Sequence, residues 1–144
     1  MNSISEMALD KGIIERVKQS YGRALIKGDL FEHFYDIFIN SHKDIAPKFK
    51  NTDFKKQRNL IKHGLTLMIS YAASSPAGVV GLDRIRKSHR ADRLNIHPKY
   101  YSYWGNSLIK AISDFDPEFN ENLKEEWRIV LRRGIEFISS GYKE

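Results

Sequence analysis

At 144 residues, 41% hydrophobic and 29% charged, the chain has the balance of one globular domain able to bury its own core, which excludes a disordered or membrane-embedded class. It has no cysteine, which excludes a disulfide framework and thiolate chemistry; with no apolar run of signal-peptide or membrane-span length either, a cytoplasmic location is expected. A net charge of +6 would suit nucleic acid, an anionic membrane surface, an acidic partner or an anionic cofactor, but the cations are dispersed through "DFKKQR", "DRIRKSHR" and "WRIVLRR" as on a solvated surface, and no nucleic-acid partner is expected.

Residues 1–10 read as an N-terminal extension. In "GIIERVKQSYGRAL" the apolar Ile13, Val17, Tyr21 and Leu25 recur every four positions, which predicts a first helix. "DLFEHFYDIFINS" carries a helical stripe of Leu30, Phe34, Ile37 and Phe38, with Asp29 as its cap. After a corner at Pro47, "TDFKKQRNLIKHGLTLMISYA" offers Thr52 or Asp53 as cap and a broad face of Leu60, Ile61, Gly64, Leu65, Met68 and Ile69. Ser74 to Gly78 form the longest turn-rich stretch, too short for an interdomain linker. A short helix around "LDRIRKSHR" and a turn at Pro98 follow. "PKYYSYWGNSLIKAISDF" then starts on a proline, tolerated at a first helical position because its missing N–H has no partner there anyway. The last helix, "NENLKEEWRIVLRRGIEFISSGY", buries Leu123, Trp127, Val130, Leu131, Ile135 and Ile138. Strand and hairpin signals are missing, so the fold class is all-α, with six to eight unequal packed helices.

The chain has no dinucleotide or phosphate-binding glycine loop, no HExxH and no nucleophile elbow. Its histidines, His33, His42, His63, His89 and His97, lack the spacing of a helical metal site. A single neutral imidazole still binds a metal when a cofactor supplies the other ligands. It then needs a helix to carry it, a neighbour to fix its tautomer and a following helix to wall the cofactor. Around His89 these are Ser88, the Ile96-x-Pro98 corner, and Tyr101, Trp104 and Leu108 on one helix face. On periodicity alone a solvated side chain is the expected reading, since a lone His in a basic helix is ordinarily that.

"SHRADRLNIHPKYYSYWGNSLIKAI" resembles the proximal half of a globin: a His, a short loop, Ile-x-Pro, an aromatic, then Gly and paired aliphatics. The resemblance implies that His89 is the axial iron ligand. "HFYDIF" and "APKFKNTDFKKQRNLI" are similar to the second helix, corner and distal helix of bacterial haemoglobins and of the haem domain of flavohaemoglobins. It implies Tyr35 above the iron, Phe49 against the porphyrin, Gln57 as the distal polar residue and Ile61 as the apolar one beside the ligand. "KHG" at His63 resembles the distal motif of animal globins, making His63 the rival of Gln57. The family's link from the axial His through a Tyr to a Glu falls on Tyr101 and Glu136. Arg93, with Arg90 as alternate, matches a partner for the haem propionates.

The resemblance implies a globin fold around a pocket for haem b (iron protoporphyrin IX), and reversible binding of oxygen, nitric oxide or carbon monoxide, with Tyr35 and Gln57 donating to a partly charged adduct. Similar Tyr/Gln pockets accompany nitric-oxide dioxygenation. With no flavin or nicotinamide domain after Glu144, that activity is expected to need a separate reductase. The alternative is a haem-based sensor of oxygen or nitric oxide acting on another chain; a globin-fold interaction protein without haem is a third reading.

Overall fold

A computed structural model describes residues 9–143. Of the extension expected over residues 1–10, residues 1–8 lie outside the described residues. Leu9 and Asp10 already belong to the fold. Leu9 packs against the core, and Asp10 caps the first helix by accepting the Gly12 backbone N–H at 2.7 Å.

Among the described residues six α-helices run in order: α1 (Lys11–Lys27), α2 (Leu30–Ile39), α3 (Phe54–Ala72), α4 (Pro76–Ser88), α5 (Tyr101–Phe115) and α6 (Glu121–Ser140). The 3-10 turns Ala46–Phe49 and Pro98–Tyr100 interrupt the longer connections. No strand occurs among the described residues. Side-chain caps set the starts: Asp29 accepts from Glu32 N–H at 3.1 Å, and Asp53, rather than Thr52, accepts from Lys56 N–H at 3.3 Å.

The buried faces follow the helical period with local corrections. α1 buries Ile14, Val17, Ser20 and Ala24, so the face is centred on small residues and the expected Leu25 is exposed. α3 buries Ile61, Leu65, Met68 and Ile69, while Leu60 turns outward. α6 buries the expected set, with Ile135 only half-buried.

The connection from α3 to α4 is tighter than its composition suggests. Pro76 opens α4 in its first turn, so only residues 73–75 reverse the chain, with Ser74 at φ 61°. Gly78 lies directly on the end of α3: a Cβ there would stand 2.5 Å from Tyr71 N and 2.6 Å from the Ser70 carbonyl carbon. That closeness needs glycine. Pro98, by contrast, opens a 3-10 turn rather than α5 itself, and the His97 ring caps that turn by accepting from Lys99 N–H at 3.1 Å.

Candidate functional site

His89 stands at the C-terminal end of α4, one residue past its last turn. Its Nδ1 lies 2.9 Å from the Ile85 carbonyl oxygen. A carbonyl only accepts, so Nδ1 carries the proton and Nε2 keeps the lone pair. Burial pushes the His89 pKa below the ordinary imidazole value, against a smaller upward pull from the Ile85 bond. The ring is therefore neutral at pH 7. Ser88, expected to fix the tautomer, does not touch the ring: its hydroxyl donates to the same Ile85 carbonyl at 2.8 Å. The backbone of α4 holds the imidazole, because the ring reaches back one turn to an acceptor already placed there.

Tyr101 at the start of α5 meets the His89 ring edge-on at 6.5 Å between centroids. Trp104, three residues on, shares that face and packs edge-on against Phe34 of α2 at 6.1 Å. Phe34 in turn touches Tyr35 at 4.8 Å. Leu108, fully buried, continues the α5 face into the core. Trp104, Phe34 and Tyr35 thus form a run of contacting rings, and Tyr101, one turn earlier on the same helix, meets His89.

At the far end of the run, Tyr35 is buried, with the half-buried Gln57 side chain acting on its hydroxyl. Burial pushes its phenol up to about 12, and Gln57 works in the opposite direction. The hydroxyl stays protonated at neutral pH. Phe49 from the corner and Phe54 from the first turn of α3 pack on the Tyr35 ring at 5.7 and 5.6 Å. Ile61, one turn beyond Gln57, is buried. His63 is exposed on the outer side of α3. Glu136 is likewise exposed on α6, and no hydrogen bond joins it to Tyr101 among the described residues.

The loop after His89 folds back on the end of α4. Leu94 N–H donates to Ser88 O at 3.1 Å and the half-buried Ile96 N–H to His89 O at 3.3 Å. Tyr142, just past α6, pins it from outside. Its carbonyl accepts from Ala91 N–H at 2.8 Å, its hydroxyl donates to Asn95 Oδ1 at 2.6 Å, and its ring rests 5.3 Å from that of His97. Arg93 is exposed on this loop, and Arg90 pairs with Asp92 at 3.2 Å.

Sequence reasoning missed Ile85, Phe54 and Tyr142. Ile85 acts through a backbone carbonyl, which no residue type announces, although an acceptor four residues before a ligand histidine is a position worth checking. No cluster of three or more His, Cys, Asp or Glu able to hold a metal occurs among the described residues. The chemistry here is instead one imidazole lone pair, an aromatic wall, and a hydroxyl with an amide at the other end. That donor set fits a planar cofactor that brings its own metal ligands.

No family model and no curated protein matches the sequence. Among solved structures, a protein of Pseudomonas aeruginosa PAO1, described as structurally highly homologous to a human hemoglobin, superposes with a TM-score of 0.87 at 32% identity, covering 92% of this chain and 99% of that one.

Proposed function

The chain belongs to the globin family, and from that premise we propose that it is a haem protein that reversibly binds a small diatomic ligand, with oxygen the foremost. The observation that carries the reading is the His89 ring, whose Nδ1–Ile85 hydrogen bond leaves the Nε2 lone pair for iron. Iron protoporphyrin IX, when bound, would supply a ferrous centre with one position for the imidazole and one for the ligand.

The chain's own residues do the rest. His89, its Nδ1 turned to the Ile85 carbonyl and its pKa lowered by burial, would hold the iron through Nε2. Phe49, Ile61, Trp104 and Leu108 contribute apolar surface for the ring, and Tyr101 steadies the imidazole edge. Ser88 and Ile96 brace the backbone on either side of the ligand histidine, while Arg93 offers a cation for the carboxylates of the ring. Gln57 favours the ionised side of the Tyr35 equilibrium, as an amide N–H donor does. The phenolic proton is thereby left to donate to a ligand bearing negative charge. Residues 9–143 act together as one such domain. The Tyr35–Gln57 pair also fits conversion of nitric oxide and oxygen to nitrate, with a separate reductase restoring ferrous iron.

The test is a visible spectrum of the purified protein, ferric and then reduced, with and without oxygen and carbon monoxide, together with the His89→Gly variant. The expected result is a haem spectrum that His89→Gly loses and added imidazole restores. A normal spectrum in His89→Gly without imidazole would overturn the assignment of the axial ligand.

A further inference from the structure

Charge is divided unevenly along this chain. Residues 42–62 and 83–99 carry thirteen Lys and Arg against four Asp, whereas the rest of the chain carries eleven against fourteen acidic residues. The first segment holds the corner and the half of α3 that bears Gln57; the second holds the end of α4 and the loop after His89. They meet at Tyr100, whose ring has Lys48 Nζ at 4.9 Å and Lys99 Nζ at 5.2 Å from its centroid. Two segments distant in sequence thus join at Tyr100, next to Tyr101, in one basic rim, although within them Arg86 is only 15% exposed and lies over Phe137, and Lys87 and Arg90 are paired with Asp83 and Asp92.

Folding alone does not ask for this arrangement. A helix N-terminus carries partial positive charge and favours acidic side chains. Past its Asp53 cap, however, α3 carries Lys55 and Lys56 directly after Phe54 and has no acidic residue in its first turn. The two lysines on the Tyr100 ring repel one another, although each gains a cation–π contact with it. The two carboxylates of a haem would neutralise only a small part of the excess.

We infer that this rim is a docking surface for a protein partner with an acidic face. Clustered charge of one sign speeds the encounter with such a face and sets its orientation. Within the rim, Leu60 and Leu94 are exposed. They are isolated apolar points of the kind a protein interface covers, not the broad apolar face that an interfacial membrane helix needs. The inference rests on the haem reading only for its purpose, since a partner seated here sits at the edge of that site.

The test is titration of the haem-loaded protein with a purified acidic flavodoxin as probe, at low and at physiological ionic strength. Phosphatidylglycerol vesicles and duplex DNA are titrated in parallel. Two charge-reversal pairs, Lys48→Glu with Lys99→Glu and Lys55→Glu with Lys56→Glu, are compared with Lys11→Glu and Lys18→Glu on α1. Folding of each is checked by circular dichroism. The expected result is flavodoxin binding that weakens with salt, falls at least about tenfold in each folded rim variant, and changes less than about twofold in the α1 control. Absence of flavodoxin binding, equal losses in rim and control, or binding to vesicles or DNA in place of flavodoxin would overturn the inference. A wild-type protein that binds flavodoxin through the rim but takes up no haem would sink the haem reading and leave the docking surface standing.

Discussion

Between α1, α5 and α6 a buried run of polar groups closes on itself. Trp127 Nε1 donates to Ser20 Oγ at 3.0 Å, Ser20 donates to Asp116 at 2.7 Å, and Arg23 Nε reaches the same carboxylate at 2.7 Å. The Glu118 backbone N–H completes it at 2.9 Å. The site lined by α2, α3 and α4 uses similar groups differently. His89 spends one ring nitrogen on Ile85 and keeps the other, while the buried Tyr35 hydroxyl beside Gln57 keeps a proton to give. Polar groups satisfied by one another hold helices together, whereas groups satisfied by half are positioned for something else. Mutation should therefore separate the two regions, one answering in stability and the other in ligand chemistry.

The largest separation is expected from Asp116→Ala. It leaves Ser20 without its acceptor and Arg23 with only the more distant, exposed Glu118 carboxylate at 3.5 Å. Because the Arg23 side chain is about a quarter exposed, the cost should be about 2 to 3 kcal/mol, short of that for a fully buried pair. Urea unfolding measures it, and oxygen dissociation in the folded variant should stay within about twofold of wild type. A large change in ligand kinetics with little loss of stability would erase the distinction.

Tyr35→Phe should do the reverse. Losing a donor to a partly charged acceptor costs about 1.5 to 3 kcal/mol, or roughly tenfold to hundredfold faster oxygen dissociation. Carbon monoxide carries less negative charge, so its release should change much less. Stopped-flow measurement of both off-rates distinguishes donor loss from a steric disturbance, which would affect both ligands.

A smaller and sharper contrast lies within α3. Gln57→Leu should shift oxygen dissociation and the Fe–CO stretching frequency, and His63→Leu, on the exposed side, should leave both nearly unchanged. The opposite pattern would place the distal helix in another register.

The smallest effect is acid sensitivity. Burial alone would raise the Asp116 carboxyl, but the Arg23 and Ser20 hydrogen bonds outweigh it and hold the pKa below 3.8. A depressed folded-state pKa contributes stability above the unfolded value and loses it as pH falls through the folded one. Unfolding free energy should thus decline below about pH 4, and Asp116→Asn should flatten that decline. An unchanged slope would mean that this carboxylate is not what acid attacks.

Much of the fold was legible because its signals are local. Asp29 and Asp53 precede apolar stripes and do cap them, and the all-α class follows from period alone. The face of α1 was misjudged because Ser20 and Ala24 define it, and small residues have little hydropathy to show. They are there to let Trp127 approach. Leu60 and Leu25 were assigned inward by size, although neighbouring α3 and α1 positions supply enough apolar surface without them. At the site, His89 was singled out through the family resemblance, while its hydrogen-bond partner is a backbone carbonyl and left no trace in the sequence. Phe54 was hidden as the first residue of a helix. The basic rim escaped for a different reason: its cations are spread along the chain and converge only where Lys48 and Lys99 meet at Tyr100.

The clasp formed by Tyr142 sets an order in time. The loop behind His89 gains its outer hydrogen bonds from a residue made about fifty positions later. At a synthesis rate of ~5–20 residues per second, that loop waits roughly three to ten seconds after His89 is joined to the growing chain. The segments that carry Tyr35 and Gln57 are made before His89 and the α5 rings Tyr101 and Trp104 soon after it, so the loop behind the histidine is fastened last.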